Sequence, residues 1–247
     1  MPELIPSPHP ALRDFTSARV ALPTTGHSIA TSEVLAFQLA HAQARDAVHS
    51  AIDLESFAKL LQDVTSLPIL RLRTNAADRV TYLRRPDLGR TLDPESAALL
   101  EGGECDVAIV VADGLSALAV ERNAIPLLAH LLPQLAAAGW RVGPISLVRQ
   151  GRVAIGDPIG SALGASLSLV LIGERPGLSA CDSLGAYLTW EPRAGRTDAE
   201  RNCISNIREG GLAPEPAALR ILWYLKAARA GQITGTALKD GSNQLAP

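Results

Sequence analysis

Cysteine and lysine are both scarce in this 247-residue chain. Cys105, Cys181 and Cys203 form an odd, widely spaced set with no C-x-x-C pair, so neither a zinc site nor a disulfide framework is indicated. A reducing cytoplasm is the expected setting. Lysine occurs only at Lys59, Lys226 and Lys239, which leaves arginine as nearly all of the positive charge. Arginine suits fixed, bidentate contacts to carboxylate and phosphate, although a GC-rich genome produces the same bias. Apolar runs are interrupted well before membrane-spanning length, and the Pro-rich stretch from Met1 to Pro10 is not expected to be a signal peptide. The net charge of -2 gives no general attraction to nucleic acid or acidic membranes. Several familiar sites are also missing. No G-x-G-x-x-G opens a helix after a strand, and Gly156, Gly160 and Gly164 fall four apart, the wrong spacing for a dinucleotide turn. Neither a Walker-type phosphate loop nor an H-E-x-x-H pair nor a G-x-S-x-G elbow occurs.

What remains is a chain with a hydrophobic fraction of 47%, enough for one sizeable core. Three regions follow from its patterning: an extended arm over 1–25, a helical region over 26–100, and a strand-helix domain over 101–247. Pro2, Pro6, Pro8, Pro10 and Pro23 keep the arm out of regular helix. A helix is predicted from about Thr31 to Ile52, capped by Thr31 or Ser32. Its apolar stripe is Val34, Phe37, His41, Ala44 and Val48, widened by Leu35, Leu39 and Ala42, and His41 reads as a packing residue. A short helix is predicted over Leu54 to Leu61. The 71–90 stretch, with Arg71, Arg73, Arg79, Arg84, Arg85 and Arg90, reads as a loop-rich basic surface, either solvated or a subunit contact. From Cys105 onward strands and helices alternate. Strands are predicted at Val107–Val111, Val142–Val148, Leu167–Ile172, Ala186–Trp190 and Cys203–Ile207. The intervening helices cover Ala119–Ala138, Ile155–Leu163 and Ala217–Ala230. Such alternation implies an α/β, doubly wound, mostly parallel sheet preceded by an N-terminal arm and a helical segment.

In such sheets ligands bind beyond the carboxyl ends of the strands. Three polar, Gly-containing segments fall there: Asp113-Gly114-Leu115-Ser116, Arg149-Gln150-Gly151-Arg152-Val153, and Gly173-Glu174-Arg175-Pro176-Gly177. Any one alone is explained by Gly and Pro turning the chain; their convergence on one edge signals a binding site. Glu174 has two readings, an acceptor for ligand amide groups or a partner for a nearby arginine that holds the loop. Cys203 likewise reads as a small buried hydrophobe or as a nucleophile. The nucleophile reading implies a cysteine amidohydrolase with a lysine near Glu174, yet no lysine lies between Lys59 and Lys226.

The polar run Arg201-Asn202-Cys203-Ile204-Ser205-Asn206-Ile207, with Gly173-Glu174-Arg175-Pro176-Gly177-Leu178 and Gly151-Arg152-Val153, resembles the light chain of ethanolamine ammonia-lyase. The likeness extends to Thr16–Val20, Gly26-His27-Ser28, Phe37–Ala42, Arg45–Val48, Arg85–Arg90, Asp113–Ser116 and Ser183-Leu184. The resemblance implies a Rossmann-like light chain beneath a corrin, partnered by a large (heavy) barrel subunit that holds ethanolamine and carries the radical steps to acetaldehyde and ammonia. The implied cofactor is adenosylcobalamin, and the cofactor-binding positions carried over are Val153, Glu174 and Cys203, with no catalytic or metal-ligating residue in this chain. No histidine has an aspartate two residues before it, as the D-x-H-x-x-G motif that displaces the cofactor's own base requires, so a base-on cofactor is expected. The expected location is the cytoplasm, free or within a bacterial microcompartment; some relatives carry a longer N-terminal extension associated with encapsulation. A non-catalytic corrinoid-binding or assembly module is the alternative from another class.

Overall fold

The computed structural model describes residues 4–7, 9–100 and 102–242. The arm is short of regular structure but not free of it. Pro10 opens a 3-10 turn over Pro10–Asp14, where the lost N–H has no partner to miss. Ile5 pairs with Thr24, and a small hairpin joins β1 (Thr24–Thr25) to β2 (Ser28–Ile29). Helix α1 (Thr31–His49) follows, with Ala30 rather than Thr31 or Ser32 at its N-cap and no side chain capping it. Its apolar stripe does not enter the core. Val34, Leu35, Phe37 and Leu39 are exposed and only Ala47 is buried, while Phe37 stacks on His41 and lies under the Arg19 guanidinium.

Helix α2 (Leu54–Gln62) has Asp53 as a true cap, accepting from the Glu55 N–H at 3.1 Å, and buries Leu54, Phe57, Ala58 and Leu61. The 71–90 stretch is more ordered than a basic loop. It begins in β3 (Ile69–Arg73) and continues through α3 (Arg79–Arg84). A 3-10 turn (Leu88–Arg90) and α4 (Pro94–Ala98) follow. The alternating pattern then runs β4 (Cys105–Ala112), α5 (Ala117–Ala137), β5 (Ile145–Arg149), α6 (Gly156–Ala162) and β6 (Ala165–Gly173). It closes with β7 (Leu184–Trp190), β8 (Arg201–Ile207) and α7 (Pro214–Gly231).

The six-stranded sheet has the order β3-β5-β4-β6-β7-β8. The first four strands are parallel, and β7 and β8 each run antiparallel to their predecessor. This is the mostly parallel α/β sheet that the alternation implies. Helices α2, α5 and α7 cover one face, packing on Val107, Ile109, Leu147, Leu169, Leu188 and Ile204. The opposite face carries Ala108, Val110, Val148, Val170 and Ile172, and its cover comes chiefly from Ile155 with Ile159 and Leu163 at α6. That second cover is short. It leaves the same face of β7 and β8, where Tyr187 and Cys203 stand directly opposite each other, without a helix over it.

Candidate functional site

The carboxyl edge of the parallel strands gathers the three predicted loops. Gly114 adopts φ +57°, and a Cβ there would collide with the Gly173 carbonyl, so only glycine lets the two loops touch backbone to backbone. The Leu115 N–H donates to that carbonyl at 2.9 Å. Asp113, fully buried at the end of β4, accepts from the Gln150 N–H at 2.6 Å and so ties the β4 loop to the β5 loop. Gln150 itself is in the left-handed region at φ 61°. From outside the sheet, Arg79 donates to the carbonyls of Val48 (2.7 Å) and Gly114 (2.8 Å) and stands 3.9 Å from Asp113 Oδ2. Burial pushes the Asp113 carboxyl up to about 6, against the pull of Arg79.

Glu174, just past β6, takes neither of its two expected roles in full. It does hold a loop, but through hydroxyls and an amide rather than through arginine. Its carboxylate accepts from Ser183 Oγ at 2.5 Å, Ser205 Oγ at 2.6 Å and the Asn206 N–H at 3.1 Å. In a regular strand the Ser205 side chain would stand off the sheet while the Asn206 N–H lay in its plane. A bulge makes them converge: β8 spends one extra residue between Ile204 and Ile207 against Ala186 and Leu184, and Asn206 turns to φ 61°. Asparagine tolerates that conformation better than most residues.

Cys203 is exposed, which corrects the buried-hydrophobe reading. The neighbouring Tyr187 hydroxyl favours its thiolate, yet desolvation by its surroundings, helped by the nearby Glu174 charge, pushes its pKa up. Burial and the adjacent sulfur raise Tyr187 likewise. A reactive thiol needs the opposite shift. Below Cys203, the guanidinium of Arg201 makes two 2.7 Å bonds to Asp157 in the first turn of α6 and one of 2.8 Å to Thr189. Asp157 therefore clamps α6 to β8 instead of capping its own helix.

Two adjoining hollows result. One, of about 300 Å³, is lined by Arg90, Arg152, Val153, Tyr187 and Cys203 among others. The second, of about 390 Å³, lies among Tyr82, Leu115, Val153, Ile172, Glu174 and Arg175. Arg152, Val153 and Tyr187 belong to both, so Val153 sits on the ridge between Cys203 on one side and Glu174 on the other. All three positions singled out in the sequence thus border one composite cleft. Among the described residues, no group of three or more His, Cys, Asp or Glu could hold a metal ion, and no helix is long and apolar enough to cross a membrane.

Residues 6–239 match the family model for the ethanolamine ammonia-lyase light chain. The chain belongs to that family. It is 53% identical over 240 residues to the ethanolamine ammonia-lyase small subunit of Azotobacter vinelandii, covering 95% of this chain and 88% of the relative. The small subunit of Pseudomonas syringae pv. tomato is 52% identical over 235 residues, 93% of this chain and 82% of its own. That of Bradyrhizobium diazoefficiens is 51% identical over 242 residues, 96% and 92% of the two chains. Light chains of this family are components of a lyase. Within this light chain, sequence reasoning gave no site role to Tyr82, Tyr187 or Ser183. Tyr187 had a signal: it is a hydroxyl-bearing aromatic in a mostly apolar strand, Leu184–Trp190.

Proposed function

We propose that this chain is the small subunit of an adenosylcobalamin-dependent ethanolamine ammonia-lyase and supplies one wall of the cobalamin site. A large barrel-type subunit supplies the other wall and holds ethanolamine. The observation that carries the reading is the composite cleft bordered by Val153, Glu174 and Cys203, on the part of the sheet that no helix covers. Its lining is apolar at Val153, Leu115 and Ile172 and polar at Glu174, Arg152 and Arg175. A broad macrocycle edged with amide side chains suits such an open wall, with apolar contact beneath and acceptors at the margin. Neither hollow alone has the volume to enclose it, which accords with a second polypeptide closing the site.

Adenosylcobalamin, when bound, supplies the radical chemistry. The chain's own residues position and insulate. Val153 offers apolar surface on the ridge. Glu174 is pre-aimed by Ser183, Ser205 and the Asn206 amide, and presents its remaining acceptor capacity to ligand N–H groups. Cys203 packs beside Tyr187 with its thiol protonated, as the direction of its shift supports. The three unbridged cysteines accord with a cytoplasmic setting.

The test is co-purification with the large subunit, followed by titration with adenosylcobalamin. The complex is expected to deaminate ethanolamine and to give a base-on absorption spectrum, while the isolated chain does neither. Glu174→Gln should weaken cofactor binding by roughly tenfold, the loss of one charge-assisted hydrogen bond. Turnover by the chain alone would overturn the reading. Full activity of the large subunit without this chain would reduce it to an assembly module.

A further inference from the structure

Several surface arginines of this molecule meet carboxylates: Arg73 pairs with Asp93 and Glu95, Arg141 with Asp106, and Arg122 with Asp182. Arg79, the first residue of α3, does not follow them. Its side chain is only 11% exposed, and its hydrogen bonds go to backbone carbonyls, from Nε to Val48 at 2.7 Å and from Nη1 to Gly114 at 2.8 Å. The Asp113 carboxylate stands 3.9 Å from Nη1, beyond hydrogen-bonding distance. Arg79 Nη2 and Asp113 Oδ2 are each buried without a hydrogen-bond partner. Neutral carbonyls compensate a desolvated guanidinium poorly, and burial lowers its pKa. Arg79 lines neither hollow, so its use lies in what it holds.

What it holds is the back of the cleft. Gly114 and Leu115 line the larger hollow, and the Gly114 carbonyl is the one Arg79 grips. Gly114 in turn lies against the Gly173 carbonyl, and Gly173 leads into Glu174. The same guanidinium is 4.8 Å from the centre of the Tyr82 ring. Tyr82 also lines the larger hollow, and its hydroxyl donates to the Gly151 carbonyl at 2.9 Å. One side chain thus backs the loop after β4 directly and the loop after β5 through a single intermediary. Its hold on Val48 fastens both to the last turn of α1. A guanidinium suits this task, because its planar fork donates in several directions from one rigid frame. An ammonium is a compact point charge on a flexible stem and sets no such angle.

We propose that Arg79 is a positioning residue of the cleft: through the Gly114 carbonyl and the Tyr82 ring it sets the spacing between the walls at Leu115 and Val153, and so the affinity for the cofactor, without touching it. The proposal rests on the cobalamin reading above and adds to it a residue behind the site. It is tested on the complex of this chain with its large subunit, by equilibrium titration with adenosylcobalamin, urea unfolding and hydrogen exchange. Arg79→Lys keeps a charge beside Asp113 and loses the fork. It should weaken adenosylcobalamin binding by roughly tenfold, the low end for a charged hydrogen bond, and leave kcat at saturating cofactor unchanged. The Leu115 amide, bonded to the Gly173 carbonyl in the native chain, should exchange faster in this variant. Arg79→Met strands the Asp113 carboxylate and should lower stability as well as affinity. Adding Asp113→Asn to Arg79→Met removes that charge. The double variant should recover most of the stability but not the affinity, because the Gly114 carbonyl still lacks its donor. If Arg79→Met fails to fold, Arg79→Lys carries the test. Native affinity in Arg79→Lys, or affinity returning together with stability in the double variant, would overturn the positioning role and leave the cobalamin reading standing. Failure of the native complex to bind adenosylcobalamin would remove the cobalamin reading and the effect on affinity with it. Exchange at Leu115 needs no cofactor, and an unchanged rate in Arg79→Lys would overturn the hold on the wall itself.

Discussion

Asp113 shows how single residues under the cleft are held at an electrostatic cost. It is fully buried, one oxygen bonded to the Gln150 amide and the other without a hydrogen bond, 3.9 Å from Arg79. Burial outweighs the arginine and raises its folded-state pKa from 3.8 to about 6. The sign follows from proton counting: between those values the folded state holds the proton and the unfolded state does not. The stabilisation is therefore complete below pH 3.8 and is lost as pH rises through about 6. The loss is on the order of 3 kcal/mol for a shift of this size. Urea unfolding of the native chain and of Asp113→Asn at pH 5 and pH 7.5 measures it, since asparagine does not titrate. The native chain should lose stability relative to the variant at the higher pH, and a pH-independent gap would refute the assignment. Little of this was legible in the sequence. Asp113 and Glu174 stand out as polar residues ending apolar strands, but their partners do not. Glu174's lie 9, 31 and 32 residues away, one just before β7 and two on β8, whose bulge no periodicity reveals.

Among the elements, those the sequence announced most clearly are the ones buried on both faces. Strand β4 is buried at every position, and β6 at all but its first two, so an uninterrupted apolar run is enough to identify them. Strand β3, with the sequence ILRLR, hid behind its arginines, because as the sheet edge it turns Arg71 and Arg73 outward and buries only Leu72 fully. Helices α3 and α4 are short, yet each has an aspartate cap, Asp78 and Asp93, accepting from the third residue on at 2.7 and 2.6 Å. That capping spacing was a usable signal. Helix α5 keeps both Pro126 and Pro133 because they are seven residues apart and exposed together, so the carbonyls they deprive face water. Helix α1 is the instructive contrast, since its stripe has helical period but no core beneath it. Leu35→Ser or Leu39→Ser should change the unfolding free energy of the isolated chain by less than about 0.5 kcal/mol. Leu128→Ala in α5, fully buried, should cost about 2–5 kcal/mol. Urea unfolding distinguishes the two classes, and a large loss at Leu35 would mean that α1 packs on the core in solution.

For the whole molecule, the deciding feature is the unequal clothing of the sheet. Three helices seal one face, while α6 seals only the centre of the other and is pinned there by the buried Arg201–Asp157 pair, whose side chains are 3% and 6% exposed. Breaking one partner of such a pair leaves a stranded charge, so the clamp sets where the helical cover stops and the cleft begins. The protein therefore presents a rigid, half-open surface rather than a pocket that closes by itself. Hydrogen exchange reads this directly, because exchange slows where a partner or ligand covers exposed amides. Addition of the large subunit and cobalamin should protect the amides of Val153, Ala154 and Arg175. Amides in β4 and the buried side of α5 should be unaffected, being already sealed. Protection confined to α2 and α7 would place the partner on the opposite face, and the cleft would then have no second wall.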